Sequence, residues 1–539
     1  MGMRKLCFAA FCGVFCFAGW LGAAPLAIGW ATRDITGEVP DMIPGQSYSR
    51  IAEGVLDPLS VTALAIDNGC DAIILLSADI TSWTPPLRSE IARVFTAAKD
   101  KIDFNKIIFS ATHTHTGGNI WAIPMADCTK DRHRYVKFLA KQCLETALEA
   151  WSKRAPGGVA WGLGFAAVGW NRRSLYSDDV SMRPDASMVS RLSDGHVRMY
   201  GNTDDPKFIG LESGAEPHVY FLYTFDDKGK LTGAVVNAAC PSQCSETLRK
   251  YSADYWGDVR RRIREKHGDI PILAQCSAAG DLAPHVRIIN RAMARRWRLK
   301  YGRAAEWQGE WRRSDIAEEI GDAFDEVLDW AKKDIRRDLV IVNRKIRIDM
   351  PKFVPSEAEV AAARRFLAEH PERPKNSGET IADLAARKQA DLLVTYHRWA
   401  RSTIDKAEAA KKDPGATMPC FSSIARLGDI AFASNPYELY LDFAQSLQAR
   451  SPFEQTFVVQ LSLGGEGGYL ATERSHANRG YGAVGYSCKV SPEGGWKLVE
   501  TTLATLRKMN AVEMQAPKQP STATAPAAPA ATPTPATKP

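Results

Sequence analysis

A hydrophobic run closes on two histidines in the segment Ile107-Ile108-Phe109-Ser110-Ala111-Thr112-His113-Thr114-His115-Thr116-Gly117-Gly118. The run predicts a buried strand, and the Gly-Gly pair predicts the turn that follows it. Residues two apart on a strand share a face, so His113 and His115 can point into one site. Because loops at strand ends carry the chemistry of many α/β proteins, the segment predicts a metal or catalytic site. The alternative is a pair of surface histidines at a strand edge.

Strands and helices alternate on either side of this segment. A hairpin signal, Asp67-Asn68-Gly69, separates two apolar runs just upstream, and apolar residues at helical spacing recur farther along. The predicted strands cover 63–66, 72–76, 107–110, 219–225, 234–236, 271–275, 424–432 and 457–463, and the predicted helices cover 87–99, 134–153, 254–266 and 498–509. This order predicts an α/β fold with a layered core of mixed β-sheets and outer helices.

Two further stretches have a helical composition, and the C-terminal stretch is biased. Residues 286–336 are rich in Arg and Trp, and residues 355–412 are rich in Ala, Lys, Arg and Glu, which predicts an α-helical hairpin insertion. Residues 515–539 are mostly Pro, Ala and Thr. Such a tail has too little apolar surface to order itself, so we predict that it is disordered. Residues 25–514 then form the folded part of the chain.

The N-terminus has the pattern of a secretory signal peptide over residues 1–24. Arg4 and Lys5 precede an apolar run at 6–21, and Gly22-Ala23-Ala24-Pro25 supplies small residues for cleavage. The apolar run is shorter than the ~20 residues that span a bilayer, which favours a cleaved signal over an anchor. The sequence therefore predicts a secreted or periplasmic protein. An oxidising compartment permits disulfides, and Cys240 and Cys244 are close enough in sequence to form one.

The composition is that of a globular protein with a mild positive charge. The 539 residues are 45% hydrophobic and 24% charged, and the net charge is +7. Basic residues cluster at 260–262 and 295–300, in helical stretches that also carry acids, so we interpret them as solvated faces. No nucleic-acid-binding motif accompanies them, and we expect no nucleic-acid partner.

Four more segments repeat the pattern of an apolar strand that ends in small or functional residues. They are Val236-Asn237-Ala238-Ala239-Cys240-Pro241-Ser242-Gln243, Gln275-Cys276-Ser277-Ala278-Ala279-Gly280-Asp281-Leu282-Ala283-Pro284, Phe432-Ala433-Ser434-Asn435-Pro436-Tyr437-Glu438 and Leu463-Gly464-Gly465-Glu466-Gly467-Gly468-Tyr469-Leu470-Ala471-Thr472.

This set of motifs, in this order, resembles the neutral/alkaline non-lysosomal ceramidase family. The Thr-His-Thr-His and Gly-Asp-x-x-Pro motifs are its most specific parts, and Trp170-Asn171-Arg172-Arg173-Ser174 also fits. The resemblance covers roughly residues 27–510 and implies that 25–514 is a ceramidase-like catalytic domain. It implies hydrolysis of the amide of N-acylsphingosine with one catalytic zinc ion. The immunoglobulin-like C-terminal domain of that family is not expected here.

The resemblance also assigns roles to individual residues. It implies that His113, Glu438 and Tyr469 are zinc ligands, and that His115, Arg172 and Tyr481 face the substrate. Zinc bound by nitrogen and oxygen ligands activates a water molecule for attack on an amide carbonyl. The substrate-facing residues could then stabilise the oxyanion or protonate the leaving amine.

The sequence departs from the family at two positions. No histidine follows the strand at 235–239, where the second histidine ligand is expected, and Cys240 or Pro241 takes that place. A Cys240 thiolate could bind zinc, or Cys240 could pair with Cys244. Ala283 stands where the family has a catalytic serine, which excludes acyl-serine chemistry at that position.

Three functions are consistent with these observations. The first is a secreted or periplasmic zinc-dependent hydrolase that cleaves an amide, with N-acylsphingosine or another N-acyl lipid as substrate and peripheral contact with membrane lipid. The second is a non-catalytic binding protein that has lost its metal. The third is a metal-dependent hydrolase of an ester or of another class of amide.

Overall fold

The computed structural model describes residues 25–123, 131–302, 308–371 and 388–512. Its strands are β1 (Ala27–Asp34), β2 (Ser60–Asp67), β3 (Ala72–Ala78), β4 (Ile107–Ala111), β5 (Ala155–Asn171), β6 (Arg173–Tyr176), β7 (Val197–Met199), β8 (Phe208–Leu211), β9 (Ala215–Asp226), β10 (Leu231–Ala238), β11 (Ile272–Cys276), β12 (Leu282–Ala283), β13 (Ile341–Pro351), β14 (Thr417–Leu427), β15 (Ile430–Ser434), β16 (Glu438–Leu439), β17 (Gln455–Val459) and β18 (Tyr469–Leu470). Its helices are α1 (Pro85–Ala97), α2 (Arg134–Ser152), α3 (Met188–Ser193), α4 (Tyr255–His267), α5 (Asn290–Tyr301), α6 (Gln308–Ala331), α7 (Glu357–Glu369), α8 (Lys388–Lys412), α9 (Leu441–Arg450), α10 (Glu473–Asn478) and α11 (Pro492–Asn510).

Two mixed sheets form the centre of the fold. The larger sheet has nine strands in the order β11-β10-β9-β5-β1-β2-β3-β4, with β12 added to β5. The sheet curls, and its two ends approach each other. The hydroxyl of Ser77 on β3 donates to the carbonyl of Ala274 on β11. The smaller sheet has four strands in the order β13-β14-β15-β17. Two short sheets, β16-β18 and β7-β6-β8, lie beside them.

The two sheets pack face to face and are covered by helices on their outer faces. Alternate residues of β2 show the arrangement: Leu64 and Ile66 join the core between the sheets, whereas Ala63 and Ala65 join the core that also contains residues of α1, α2, α4 and α6. On the smaller sheet, Phe432 faces the inter-sheet core and Ala433 faces α9 and α11. The order of layers is therefore helices, sheet, sheet and helices, which agrees with the predicted α/β fold of mixed sheets and outer helices.

In the two large sheets, three pairs of neighbouring strands run parallel, and they determine where loops meet. These pairs are β3 with β4, β10 with β11, and β15 with β17. Parallel neighbours end at the same edge of their sheet, where α/β proteins place their ligands. The five motifs singled out in the sequence continue into the loops that follow β4, β10, β11, β15 and β17.

Most predicted elements are present with small differences in their bounds, but the single strand predicted at 424–432 is wrong, because β14 and β15 form a hairpin that turns at 428–429. The hairpin at Asp67-Asn68-Gly69 joins β2 and β3, and the histidine-bearing run forms β4. The 286–336 stretch contains α5 and α6, and α7 packs on α8 in the 355–412 stretch. The predicted signal peptide and tail lie outside the described residues. Within the described ranges, no helix combines the length and the apolar character that crossing a bilayer would need.

Candidate functional site

The loop after β4 turns abruptly at His113. The backbone amide of His113 donates to the carbonyl of Ile80 at 3.0 Å, and the backbone amide of Thr112 donates to the carbonyl of Ala78 at 3.1 Å. His113 has a φ of 65°, in the left-handed region that residues other than glycine seldom adopt. Such backbone strain costs about 1–3 kcal/mol and occurs mainly at functional sites. The turn directs the His113 ring inward, where it is only 5% exposed.

One hydrogen bond of His113 decides which nitrogen carries the proton in the neutral ring. Nδ1 lies 2.8 Å from the carbonyl oxygen of Thr81, so Nδ1 carries the proton and donates it. Nε2 then has a lone pair, and it lies 3.5 Å from Oε2 of Glu438. Two acceptors that face each other at this distance require a proton, a water molecule or a cation between them.

Glu438 and Tyr469 reach the site together. They are paired residues of the two-stranded sheet β16-β18, and the Glu438 amide donates to Gly468 at 3.0 Å. Gly280 packs against this sheet, and its amide donates to Leu439 at 2.8 Å. A Cβ at position 280 would lie 2.4 Å from the Glu438 carbonyl oxygen, so only glycine allows this approach. The Gly-Asp motif therefore holds the Glu438 backbone in place.

Arg172 links the tyrosines of the site. Its Nη2 donates to the Tyr469 hydroxyl at 3.0 Å and to the carbonyl of Gly280 at 2.8 Å. The rings of Tyr469 and Tyr481 meet edge to face, with centroids 5.4 Å apart. Burial raises the pKa of Tyr469 well above 10, and Arg172 opposes that rise. Burial also raises the pKa of Tyr481, so Tyr481 keeps its hydroxyl proton at neutral pH.

His115 is a neutral imidazole beside His113. The two Nε2 atoms are 3.3 Å apart, and the backbone carbonyl of His115 accepts from Arg50. Burial is the largest cause that lowers the pKa of His115 well below 6.5, and the charges of Arg50 and Arg172 add to it. A neutral ring of this kind can accept a proton during a reaction.

Three residues that the sequence analysis did not single out also belong to the site. Gln243 Nε2 lies 2.9 Å from His115 Nε2, and Glu246 Oε2 lies 3.6 Å from His115 Nδ1. Tyr200 lies beside Arg172; burial raises the pKa of its hydroxyl, and Arg172 opposes that rise. The buried Oε1 atom of Gln243 has no hydrogen-bond partner within the described residues. Gln243 and Glu246 follow β10, and their position after a predicted strand was the one available signal.

The structure does not bring Cys240 into this group. Its sulfur points to the carbonyls of Val168 and Pro241, at 3.4 and 3.6 Å, and burial raises the pKa of the thiol well above 9. The alternative expectation of a bond between Cys240 and Cys244 is wrong, because both are free thiols. The loop after β10 turns Cys240 into the core and presents Gln243 to the histidines instead.

Asp281 and Ala283 have structural positions. The Asp281 carboxylate accepts from Asn171 at 3.0 Å, from Ser213 at 2.6 Å and from the Leu441 amide at 3.0 Å. Ala283 pairs with Trp170 across β12 and β5. Asp281 therefore joins the β5, β11 and α9 regions behind the site.

A catalytic zinc ion requires three protein ligands and one open position. No three His, Cys, Asp or Glu side chains converge as a metal site in the described ranges. His113 and Glu438 supply two donors with facing lone pairs, and the phenol of Tyr469, which lies against Glu438, supplies a third. Burial and Glu438 raise the pKa of that phenol, and Arg172 opposes the rise. These three residues fit an open three-ligand site that does not include Cys240.

Two solved structures resemble the chain in fold. The neutral ceramidase from Pseudomonas aeruginosa is 16% identical, with a TM-score of 0.61 over 90% of this chain and 75% of that one. A ceramidase complexed with C2 is 15% identical, with a TM-score of 0.60 over 90% of this chain and 76% of that one. No protein-family model and no curated protein matches the chain. At this level of identity the likeness concerns the fold alone, and the chain has the fold of the neutral ceramidases.

Proposed function

We propose that the chain is a zinc-dependent hydrolase that cleaves an amide, and that it acts after export to the periplasm or the cell exterior. One observation carries the proposal: the facing lone pairs of His113 and Glu438 lie next to a buried group of hydrogen-bond donors, Arg172 and Tyr481. A catalytic amide hydrolase needs both parts, an activated water molecule and donors for the developing oxyanion. The shared fold and the motif resemblance point to an N-acyl lipid as the substrate.

His113, Glu438 and Tyr469 would hold the zinc ion. When bound, zinc lowers the pKa of a coordinated water molecule to about 7 and polarises the scissile carbonyl. The carbonyl of Thr81 keeps His113 in the tautomer that leaves Nε2 free as a ligand. Arg172 compensates the negative charge that Glu438 and an ionised Tyr469 bring to the interior.

The remaining side chains supply charge stabilisation and proton transfer. Arg172 is 4% exposed and permanently charged, so it interacts strongly with an oxyanion that forms near it. Tyr481 carries a hydroxyl proton that it can donate to the same oxygen. His115, neutral at rest, accepts a proton from the attacking water and delivers it to the amide nitrogen as the carbon–nitrogen bond breaks.

A non-catalytic binding protein is the second candidate, and a specific observation favours it. The predicted fourth ligand, Cys240, is buried elsewhere as a neutral thiol, and Ala283 offers no nucleophile. A protein of this kind would bind an amide without cleaving it. An esterase or an amidase of another substrate class is the third candidate, since the same groups stabilise either tetrahedral intermediate.

A hydrolysis assay distinguishes these candidates. The full chain, expressed without a histidine tag, is incubated with a fluorogenic N-acylsphingosine, with simple N-acyl amides and with matched esters. We expect cleavage of an amide, and we expect Arg172→Met to lower kcat roughly 100- to 1,000-fold because a buried oxyanion donor is lost. Elemental analysis of both proteins separates the loss of the donor from a loss of zinc, because Arg172 also compensates the charge of Glu438 and Tyr469. A zinc-loaded chain that cleaves none of these substrates would contradict the proposed activity and favour the binding protein.

Glu246 orients His115 in this scheme, and its replacement tests that role. Its carboxylate lies on the Nδ1 side of the ring, so it favours the tautomer with the proton on Nδ1. We expect Glu246→Leu to lower kcat roughly 10- to 100-fold, whereas Glu246→Gln, which keeps an acceptor oxygen, retains most activity. Nitrogen NMR of histidine-labelled protein should show a mixed His115 tautomer in Glu246→Leu. An unchanged tautomer and an unchanged kcat would assign Glu246 no such role.

A further inference from the structure

One side of helix α5 packs on α6 and donates hydrogen bonds to a single buried carboxylate there. Asp315 on α6 accepts hydrogen bonds from Trp297 at 2.6 Å, Lys300 at 2.7 Å and Tyr301 at 3.0 Å, and Arg296 approaches it at 3.3 Å. The side chain of Asp315 is 1% exposed, and Trp297 is 6% exposed. These contacts fix the rotation of α5 about its axis, so its opposite side must face solvent.

The outer side of α5 carries three arginines that pair with no acid among the described residues. Arg291, Arg295 and Arg298 are exposed, lie four and three residues apart, and form no ion pair within the described parts of the chain. Residues at this spacing are neighbours on one helix face, where like charges repel and destabilise the helix. Residues 290–301 contain no acid, so no acid within α5 offsets these three charges.

Apolar side chains are exposed among these arginines. Ile288 and Ile289 precede the helix and are 48% and 46% exposed, and Leu299 on the helix is 64% exposed. A row of guanidinium groups interspersed with aliphatic side chains is the pattern of a segment that lies in the headgroup region of a membrane. Nucleic acid would pair with the arginines and leave the aliphatic groups uncovered, and the tryptophan that could stack on a base is buried.

This surface lies close to the candidate site along the chain. Arg287, directly before Ile288, donates to the carbonyl of Tyr200 at 2.9 Å, and its guanidinium lies 5.7 Å from the Tyr200 ring centre. Tyr200 in turn lies beside Arg172. The exposed face of α5 therefore begins at the wall of the site.

We propose that the outer face of α5, formed by Ile288, Arg291, Arg295, Arg298 and Leu299, docks the protein on an anionic lipid bilayer. The arginines bind the phosphate groups of anionic headgroups, and Ile288 and Leu299 enter the boundary between headgroups and acyl chains. The docking holds whether or not the site hydrolyses amides, and it would bring a lipid substrate to the wall formed by Tyr200 and Arg287.

Vesicle co-sedimentation of the full chain tests the docking face. We expect binding to vesicles of phosphatidylcholine with one third phosphatidylglycerol, little binding to pure phosphatidylcholine, and weaker binding as salt increases. A basic residue at a membrane surface contributes about fivefold in affinity, so Arg291→Ala/Arg295→Ala/Arg298→Ala should lose roughly 100-fold. Leu299→Ser alone should weaken binding without changing its salt dependence.

A charge-matched control separates this face from a general effect of net charge. Lys99→Ala/Lys101→Ala/Lys228→Ala removes three exposed cations that lie elsewhere and should bind the anionic vesicles like the unaltered chain. Equal losses in both triple variants would overturn the proposal. So would binding of the unaltered chain to single-stranded DNA or heparin but not to anionic vesicles. Thermal unfolding of each variant confirms that its fold is intact.

Discussion

Replacing His113 with alanine is expected to release the bound zinc ion and to abolish turnover. The Nε2 atom of His113 is the nitrogen donor of the proposed three-ligand site, and Thr81 holds it in the required tautomer. Zinc content measured by elemental analysis should fall from about one ion per chain to less than about a tenth. Zinc retained in full by the variant would contradict the ligand assignment.

A second variant separates loss of the ligand from loss of the fold. His113 occupies the left-handed backbone region, which asparagine tolerates far better than alanine. His113→Asn should therefore keep the turn after β4 and still lose zinc. His133→Ala, which changes a histidine whose partners are Arg132 and Asp131, should retain zinc and activity. If the unaltered chain itself carries less than about a tenth of an ion when the buffer supplies zinc, the metal-dependent hydrolase is excluded.

Replacing Arg173 with methionine is expected to produce the largest loss of stability. Arg173 is 1% exposed, forms a two-point ion pair with Glu212 and donates to the carbonyls of Ser475, Arg479 and Tyr481. Removing one partner leaves the Glu212 carboxylate buried and unpaired, which costs about 3–5 kcal/mol. Urea unfolding, followed by circular dichroism, measures this change in the free energy of unfolding.

The exposed pair between Arg474 and Asp442 provides the matched control. Its charged groups lie 3.0 Å apart on the surface, so Arg474→Met should cost less than about 1 kcal/mol. Arg173→Met combined with Glu212→Met should cost less than the sum of the two single changes, because the pair interacts directly. A loss below about 1 kcal/mol for Arg173→Met would show that the segment 475–481 does not depend on this arginine.

Much of the fold was predictable because local sequence patterns determine it. The hairpin of β2 and β3, the buried run of β4 and the helical spacing of α2 all appear where the patterns place them. The packing of one sheet on another was not predictable in the same way. It brings residues far apart in sequence, such as Leu64 and Phe432, into one core, and periodicity does not report which residues those are.

The candidate site was predictable for residues that belong to recognisable motifs. The structure brings together His113, His115, Glu438, Tyr469, Arg172 and Tyr481. Cys240 shows the limit of sequence reasoning. The direction of its side chain depends on the turn after β10, and that turn places Gln243 and Glu246 beside His115. A loop of irregular backbone has no periodicity from which these directions could be derived.

The inter-sheet core constrains the order in which the protein can fold. Its members come from both halves of the chain, from Leu26 to Val459, so neither sheet can bury its inner face until the other is present. Contacts between residues this far apart form late and slowly because long loops must close first. His113 and Glu438 therefore meet only after the two sheets dock. Each sheet alone would expose a wide apolar surface during synthesis. Chaperones bind such surfaces, so we expect them to bind the incomplete chain.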